Sequence, residues 1–313
     1  MAASAFNEAH RTSDPHYRIM KNQKIAVIQL QLNQGPDQNL AKCSQWVEKA
    51  AHQGATVICL PELCASHYFC QQEDTQHFDL AEPLGGATFE RFSVQAKSLG
   101  VVIVAPFFER RMPGIYHNSA YTVDADGSQA GLYRKMHIPD DPQFYEKFYF
   151  TPGDLGFRSA RTQHGHIGTL ICWDQWYPEA ARLTALQGAE VLFYPTAIGW
   201  LPPEKAQYGE TQLQAWMGAM KGHAVCNGVY VAAANRIGLE PNPSGEGGIE
   251  FWGHSFIAGP QGEILAQASA DQEEILMAEL NREHLETVRQ NWPFYRDRRI
   301  DAYEAITERS LLP

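Results

Sequence analysis

Short apolar runs alternate along the chain with longer segments in which apolar residues recur every three or four positions. The runs are rich in Val, Ile and Ala, which is typical of strands buried on both faces. They predict strands at 24–30, 55–60, 101–105, 191–194, 229–234 and 274–278. The intervening segments predict helices, two of which stop at glycine. These helices lie at 39–53, 88–99, 178–187 and 210–226, with another beginning near Arg282.

Two hairpins interrupt this alternation. The strand 119–123 is followed by the turn 124–127 and by a second strand that leads to Lys135, and 253–257 pairs with 263–268 around another turn. Hairpins join antiparallel strands, whereas helical crossovers join parallel strands. The pattern therefore predicts an α/β protein with mixed sheets.

No repeat, low-complexity block or long Gly/Ser linker divides the chain. We therefore expect a single domain over 21–313, preceded by a mobile segment over 1–20. That segment lacks the apolar stretch of a signal peptide, and no later stretch is apolar enough to span a membrane. The cysteines are scattered and lack zinc-ligand spacing. These features predict reduced thiols and a cytoplasmic protein without a membrane partner.

The formal net charge of −11 argues against nucleic acid as the main partner, because a phosphate-binding face requires clustered Lys and Arg. It is compatible with a cationic substrate. Glycine-rich loops with the spacing that binds dinucleotides or nucleotide phosphates do not occur in the sequence. We expect neither a metal nor an organic cofactor.

Candidate chemistry follows three predicted strands. Cys172 ends an apolar run and precedes a short turn, after which Pro178 begins a helix. Such a turn exposes the thiol beside backbone N–H groups, including that of Trp173, which can stabilise an oxyanion. Glu62 follows one buried run, and Lys135 ends the hairpin strand. The combination predicts a cysteine hydrolase that uses a carboxylate and a lysine.

A cysteine nucleophile requires activation, because a thiol of ordinary pKa, about 8.5, is mostly protonated at neutral pH. His164 and His166 lie on the strand that leads to Cys172, where a structural role is more plausible than that of a base. Taken singly, Cys172, Glu62 and Lys135 also have ordinary interpretations. Cys172 could be a small buried residue, Glu62 a member of a structural ion pair and Lys135 a solvated lysine.

The motifs at 60–63, at 133–137 and at 172–174, the last followed by Pro178-Glu179, resemble those of the nitrilase (carbon–nitrogen hydrolase) superfamily. They occur in the family's order, and the resemblance covers about 24–290. It implies a four-layer α-β-β-α sandwich that assembles as a homo-oligomer built from dimers. It also implies catalytic roles for four residues. Glu62 is the general base, Lys135 the oxyanion stabiliser and Cys172 the nucleophile. Glu146 matches the family's second glutamate.

The runs 135–154 and 172–182 closely resemble the putrescine-forming branch of this family. The resemblance implies a small cationic ureido substrate, N-carbamoylputrescine, hydrolysed through a cysteine thioester. Many relatives that act on carboxylate-bearing substrates have arginine where this chain has Trp176. An indole face attracts an ammonium group by about 0.5–2 kcal/mol, although plain packing explains a tryptophan equally well.

The predicted substrate-binding residues are accordingly Trp173, Trp176, Tyr145 and Asp141. The carboxylate that binds the amine stays open among loop residues, because Asp140 and Glu204 are alternatives to Asp141. Tyr145 could line a slot for a four-carbon chain together with two further aromatic residues, Trp200 and Tyr208.

Three alternatives remain at this point. A sibling amidohydrolase, such as a β-ureidopropionase or an ω-amidase, would act on a substrate with a carboxylate. A catalytically silent member that serves as a binding or assembly module would be expected to lack a residue of the Glu-Lys-Cys triad. A redox-sensing thiol protein would be expected to have a resolving cysteine close to Cys172 in sequence.

Overall fold

The computed structural model describes residues 22–245 and 247–312, so the segment 1–20, predicted to be mobile, lies outside the described residues. The helices in chain order are α1 (Pro36–His52), α2 (Ala87–Leu99), α3 (Glu146–Tyr149), α4 (Pro178–Leu186), α5 (Pro202–Asn227) and α6 (Arg282–Asn291). The strands are β1 (Gln23–Gln29), β2 (Val57–Cys59), β3 (Val102–Met112), β4 (Ile115–Val123), β5 (Gln129–Arg134), β6 (Ser159–Thr162), β7 (Gly165–Thr169), β8 (Val191–Pro195), β9 (Gly199–Trp200), β10 (Tyr230–Ala234), β11 (Ile237–Pro241), β12 (Gly248–Trp252), β13 (Phe256–Ala258), β14 (Ile264–Gln267) and β15 (Glu274–Leu280).

Two six-stranded sheets form the centre of the molecule. The first has the order β15-β1-β2-β3-β4-β5 and the second the order β14-β13-β10-β8-β7-β6. Strands joined by helical crossovers run parallel, as β1, β2 and β3 do in the first sheet and β7, β8 and β10 in the second. The remaining neighbours within these sheets are antiparallel. Both sheets are therefore mixed, as the combination of crossovers and hairpins predicted.

Alternate residues of the first sheet pack into two different cores. Ile25 and Val27 of β1 join a cluster with the second sheet, whereas Ala26 and Ile28 join a cluster with α1 and α2. Helices α4 and α5 add side chains such as Trp216 to the cluster that contains the second sheet. The layers are therefore helix, sheet, sheet and helix. Because both faces of the central strands are apolar, these strands read as continuous apolar runs.

Several boundaries differ from the sequence prediction, and three of them have a clear physical reason. Strands β3 and β4 extend into a hairpin at Gly114, because their outer ends pair as a ladder although the charged residues Glu109, Arg110 and Arg111 interrupt the apolar pattern. Helix α5 begins at Pro202, where proline fits the first turn because that turn's N–H groups have no intrahelical acceptor. Strand β7 ends at Thr169, so the apolar run does not reach Cys172 as a strand.

The short sheet β11-β12-β9 was absent from the sequence prediction. Its strands contain glycine and charged residues and lack a clear alternation, so local pattern alone does not identify them. This sheet and the adjoining turn place Trp252 and residues around Ile198 next to the candidate site. Within the described parts of the chain, no helix is long and apolar enough to cross a membrane.

Candidate active site

Glu62, Lys135 and Cys172 come together because the two sheets present their strand ends on the same side. Glu62 lies just beyond β2, and Lys135 directly follows β5, both in the first sheet. Cys172 begins a short 3-10 helix, Cys172–Trp176, which follows β7 of the second sheet. All three side chains are buried, and Glu62 and Lys135 are within electrostatic reach of the Cys172 thiol.

The ammonium of Lys135 lies between two buried carboxylates. Its Nζ donates to Glu62 Oε1 at 2.8 Å and to Glu146 Oε2 at 2.6 Å. Burial by itself would lower the pKa of Lys135, but the carboxylates of Glu146 and Glu62 outweigh this effect and raise the pKa well above its ordinary value. Lys135 is therefore a fixed cation at neutral pH.

One oxygen of Glu62 has no hydrogen-bond partner in the part of the chain that the structure describes. Oε1 accepts from Lys135 and, at 2.7 Å, from Asn118 Nδ2, whereas the buried Oε2 accepts no hydrogen bond from the described residues. A buried carboxylate oxygen without a donor is costly unless it receives one during function. Glu62 therefore has a free lone pair with which to accept a proton.

The carboxyl of Glu146 is also enclosed. Tyr68 donates its hydroxyl to Glu146 Oε1 at 2.7 Å, so both oxygens have donors. Burial raises the pKa of Glu146 to about 7; nearby Glu62 adds to the rise and the Lys135 ammonium opposes it. The site can therefore exchange one proton close to neutral pH.

The Cys172 backbone has a φ of +41°, in a region that side chains other than glycine rarely occupy. Its Sγ lies 3.8 Å from the carbonyl oxygen of Ala197. Burial raises the pKa of the Cys172 thiol well above its ordinary value, and the negative charge of Glu62 adds to this effect. The resting thiol is therefore protonated and requires a base. The first N–H groups of the 3-10 helix have no acceptor inside the helix, so they can donate to an oxyanion.

A cavity of about 390 Å³ opens beside the thiol. Of the residues that sequence analysis assigned to the substrate, Asp141, Trp173 and Trp176 line it, and so does the alternative carboxylate Glu204. Tyr145 does not line it, because its neighbour Phe144 faces the cavity instead. The other residues considered for this role lie outside the lining as well, namely Asp140, Trp200 and Tyr208.

The cavity is acidic and partly aromatic. Its lining within the described residues contains three carboxylates, Asp141, Glu146 and Glu204, and no Lys, Arg or His. It also contains buried polar atoms without a partner among the described residues, namely Nε1 of Trp176, Nε1 of Trp252 and Oε1 of Gln212. The arrangement suits a ligand that carries a cationic group and polar N–H and C=O groups.

Sequence reasoning missed several residues of the site. Asn118 and Tyr68 bind the carboxylates of Glu62 and Glu146, and Gln212 lines the cavity from the middle of α5. No local pattern distinguishes these residues from ordinary strand, loop and helix positions. No group of His, Cys, Asp and Glu among the described residues is arranged to bind a metal ion.

Comparison with known proteins shows the family and the fold of this chain. The carbon–nitrogen hydrolase family model matches residues 24–290. The chain is 45% identical to N-carbamoylputrescine amidase of Solanum tuberosum, over 90% of this chain and 94% of that protein. It is 40% identical to a citrullinase of Francisella tularensis, over 93% of this chain and all of that protein.

A solved structure extends this likeness to three dimensions. The carbon–nitrogen hydrolase of Helicobacter pylori G27 superposes with a TM-score of 0.90 at 47% sequence identity. The alignment covers 93% of this chain and the whole of that chain. The predicted α-β-β-α sandwich is thereby confirmed, and the chain belongs to the carbon–nitrogen hydrolase family.

Proposed function

We propose that this protein hydrolyses N-carbamoylputrescine to putrescine, ammonia and carbon dioxide. The acidic cavity beside Cys172 carries the proposal, because it offers carboxylates to an ammonium group and its described lining residues include no Lys, Arg or His for a carboxylate. A charge-assisted hydrogen bond of this kind contributes about 1.5–3 kcal/mol. The relative from Solanum tuberosum, which bears the name of this activity, supports the same substrate.

The reaction begins with transfer of the Cys172 proton to Glu62, whose Oε2 is free to accept it. The thiolate attacks the ureido carbon, and the carbonyl oxygen becomes an oxyanion near the Lys135 ammonium and the Trp173 N–H. One well-placed donor of this kind typically contributes about 3–4 kcal/mol to the transition state. The S–C bond therefore forms first. When the oxyanion collapses, the C–N bond breaks, and Glu62 gives its proton to the nitrogen of the departing ammonia or amine.

Water then completes the turnover. Glu62 accepts a proton from water as the oxygen attacks the thioester carbon, and it gives that proton to the sulfur as the C–S bond breaks. The thiol is restored, and the released carbamic acid decomposes to carbon dioxide and the remaining ammonia or amine. Lys135 stays cationic throughout, because the two carboxylates on either side of it hold its pKa high. Glu146 keeps Lys135 in place through its hydrogen bond and reaches the cavity itself.

Citrulline is the second candidate substrate. It has a ureido group and an ammonium group, as the proposed substrate does, and a relative named citrullinase is 40% identical. Its extra carboxylate would find no Lys, Arg or His among the described lining residues, although the free indole N–H groups of Trp176 and Trp252 could donate to it. A buried carboxylate is costly without a cationic partner, so we rank citrulline second.

We expect kcat/KM for N-carbamoylputrescine to exceed that for N-carbamoyl-β-alanine by about 100-fold or more, which corresponds to one lost charge-assisted hydrogen bond. Ammonia release by the purified protein, with citrulline in the same panel, measures this preference. Preference for N-carbamoyl-β-alanine would contradict the cationic-substrate proposal. Preference for citrulline would replace the proposed substrate with the second candidate.

Variants that alter only the charge of a lining residue test which carboxylate binds the substrate ammonium group. Asp141→Asn and Glu204→Gln each remove a carboxylate from the lining and should raise KM for the amine substrate by about tenfold, with a small change in kcat. Asp140→Asn is the matched control, because Asp140 is exposed and does not line the cavity. An unchanged KM in both lining variants would show that neither carboxylate contributes to substrate binding.

We expect kcat/KM to fall as pH decreases through about 7, because a carboxyl with that pKa becomes protonated below it. The group is Glu146, whose ionised form accepts the Lys135 hydrogen bond. A pH–rate profile should show this acidic limb, and Glu146→Gln should abolish the inflection near pH 7. Glu82→Gln is the control, since burial also raises the pKa of Glu82, which lies outside the cavity lining. Retention of the inflection in Glu146→Gln would assign it to another group.

We further propose that 21–313 form a single domain that assembles as a homo-oligomer in the cytoplasm. The shared core between the sheets supports one domain. Exposed apolar side chains near the C-terminal end, including Trp292, Ile300 and Ile306, support assembly. A solution mass of 35.1 kDa by light scattering would contradict an oligomer, and cell fractionation would test the location.

A further inference from the structure

Asp174 is a completely buried carboxylate that does not line the active-site cavity. Each of its oxygens has two partners. Oδ2 accepts the hydroxyl of Tyr133 at 2.8 Å and the N–H of Ile171 at 2.9 Å. Oδ1 accepts the N–H of His137 at 3.1 Å and lies 2.8 Å from Nδ1 of the same residue.

These partners surround two of the proposed catalytic residues. Tyr133 and His137 lie two positions before and two positions after Lys135, and Ile171 directly precedes Cys172. Strand β5, which leads to Lys135, and strand β7, which leads to Cys172, belong to different sheets. Ladder hydrogen bonds therefore do not fix the position of one strand end relative to the other. The carboxylate of Asp174 joins them directly.

From this geometry we propose that Asp174 is a positioning residue that fixes the Cys172 thiol relative to the Lys135 ammonium. The inference rests on the proposed roles of Cys172 and Lys135. The turn around Cys172 requires support, because a φ of +41° is unfavourable for a residue other than glycine. Asp174 supplies it at Ile171, on the N-terminal side of the strained residue.

One further contact joins the Cys172 turn to the Lys135 segment. The imidazole of His137 stacks on the ring of Tyr177 with 3.6 Å between centroids and 2° between planes, so the far end of the turn is attached to the Lys135 segment as well. Burial raises the pKa of Tyr133 well above its ordinary value, and the Asp174 charge adds to the rise, so the hydroxyl stays a donor. The hydrogen bond from Tyr133 to Asp174 can be removed with little change in side-chain shape, because phenylalanine differs from tyrosine only by the hydroxyl.

Tyr133→Phe tests the proposal by deleting one hydroxyl. We expect kcat to fall about tenfold with KM nearly unchanged, and the alkylation rate of Cys172 by iodoacetamide to change by a similar factor. Asp174→Asn should have a larger effect, because the amide NH₂ cannot accept the hydrogen bonds that one carboxylate oxygen accepts. Peptide mass spectrometry resolves Cys172 from the exposed Cys226, whose alkylation is an internal reference.

Tyr194→Phe is the matched control. Tyr194 is also a fully buried strand tyrosine, but its hydroxyl has no hydrogen-bond partner among the described residues. Its variant should keep kcat and the Cys172 alkylation rate. Loss of thermal stability in Tyr133→Phe with both kinetic quantities unchanged would reduce Asp174 to a purely structural residue and overturn the proposal.

The alkylation readout also separates two kinds of failure. It depends on the position of the thiol and does not depend on which substrate the enzyme hydrolyses. If the substrate panel fails but Tyr133→Phe alters the Cys172 alkylation rate, the positioning role stands and the proposed function falls. If the panel succeeds and neither Tyr133→Phe nor Asp174→Asn alters kcat or alkylation, the positioning role falls alone.

Discussion

We expect Cys172→Ser to lower kcat by about 10⁴-fold or more, as removal of a nucleophile does in other hydrolases. The serine hydroxyl fits the same space, so the effect comes from chemistry and not from a cavity. A hydroxyl is a far weaker acid than a thiol and a far weaker nucleophile than a thiolate, so the serine attacks the ureido carbon slowly. Ammonia release from N-carbamoylputrescine measures the loss.

The variant should still bind substrate, because Cys172 contributes little to the acidic lining. Isothermal titration should give a Kd close to the KM of the parent enzyme if chemistry is slower than substrate dissociation. Cys226→Ser is the control, since Cys226 is the exposed thiol among the described cysteines and lies outside the cavity. It should keep full activity. Normal turnover by Cys172→Ser would refute the assigned nucleophile.

The second large effect is expected for Lys135→Met, which replaces a buried cation by an apolar side chain of similar length. Two buried carboxylates, Glu62 and Glu146, then face each other without their shared partner. Breaking a buried ion pair in this way costs about 3–5 kcal/mol of the free energy of unfolding. Loss of the oxyanion donor should also lower kcat by about 10²–10³-fold. Urea unfolding and steady-state kinetics measure the two losses.

Two comparison variants separate the causes. Lys205→Met removes an exposed ion pair with Glu250 and should change the free energy of unfolding by less than about 1 kcal/mol. Adding Glu146→Gln to Lys135→Met removes one uncompensated charge and should restore part of the stability without restoring kcat. If Lys135→Met were as stable and active as Lys205→Met, the fixed-cation interpretation of Lys135 would be wrong.

Local sequence was sufficient for the main elements and for the family. The buried strands were predicted within a few residues, because helices and a second sheet cover both faces and make β1, β8 and β10 continuously apolar. The motifs around Glu62, Lys135 and Cys172 identified the family correctly. The short sheet β11-β12-β9 escaped prediction because its pairing depends on distant neighbours and not on a local pattern.

Prediction of the cavity was less complete for a geometric reason. Tyr145 and Phe144 are adjacent, and the sequence does not show which ring faces the cavity; the backbone turns before α3 so that Phe144 does. Asp140 and Asp141 pose the same problem, and only Asp141 lines the cavity. In an irregular segment the side chains of neighbouring residues point in different directions, and tertiary contacts determine which of them faces the cavity.

The sequence by itself determined which chemical groups this protein has and the order in which strands and turns present them, because apolar periodicity and local motifs depend on neighbouring residues. Only the tertiary structure decided how those groups interact. Lys135 meets Glu62 across 73 positions, and Asp174 meets Tyr133 across 41. The free oxygen of Glu62 and the high pKa of Lys135 arise from these contacts, since burial and charge depend on what packs around a side chain in space.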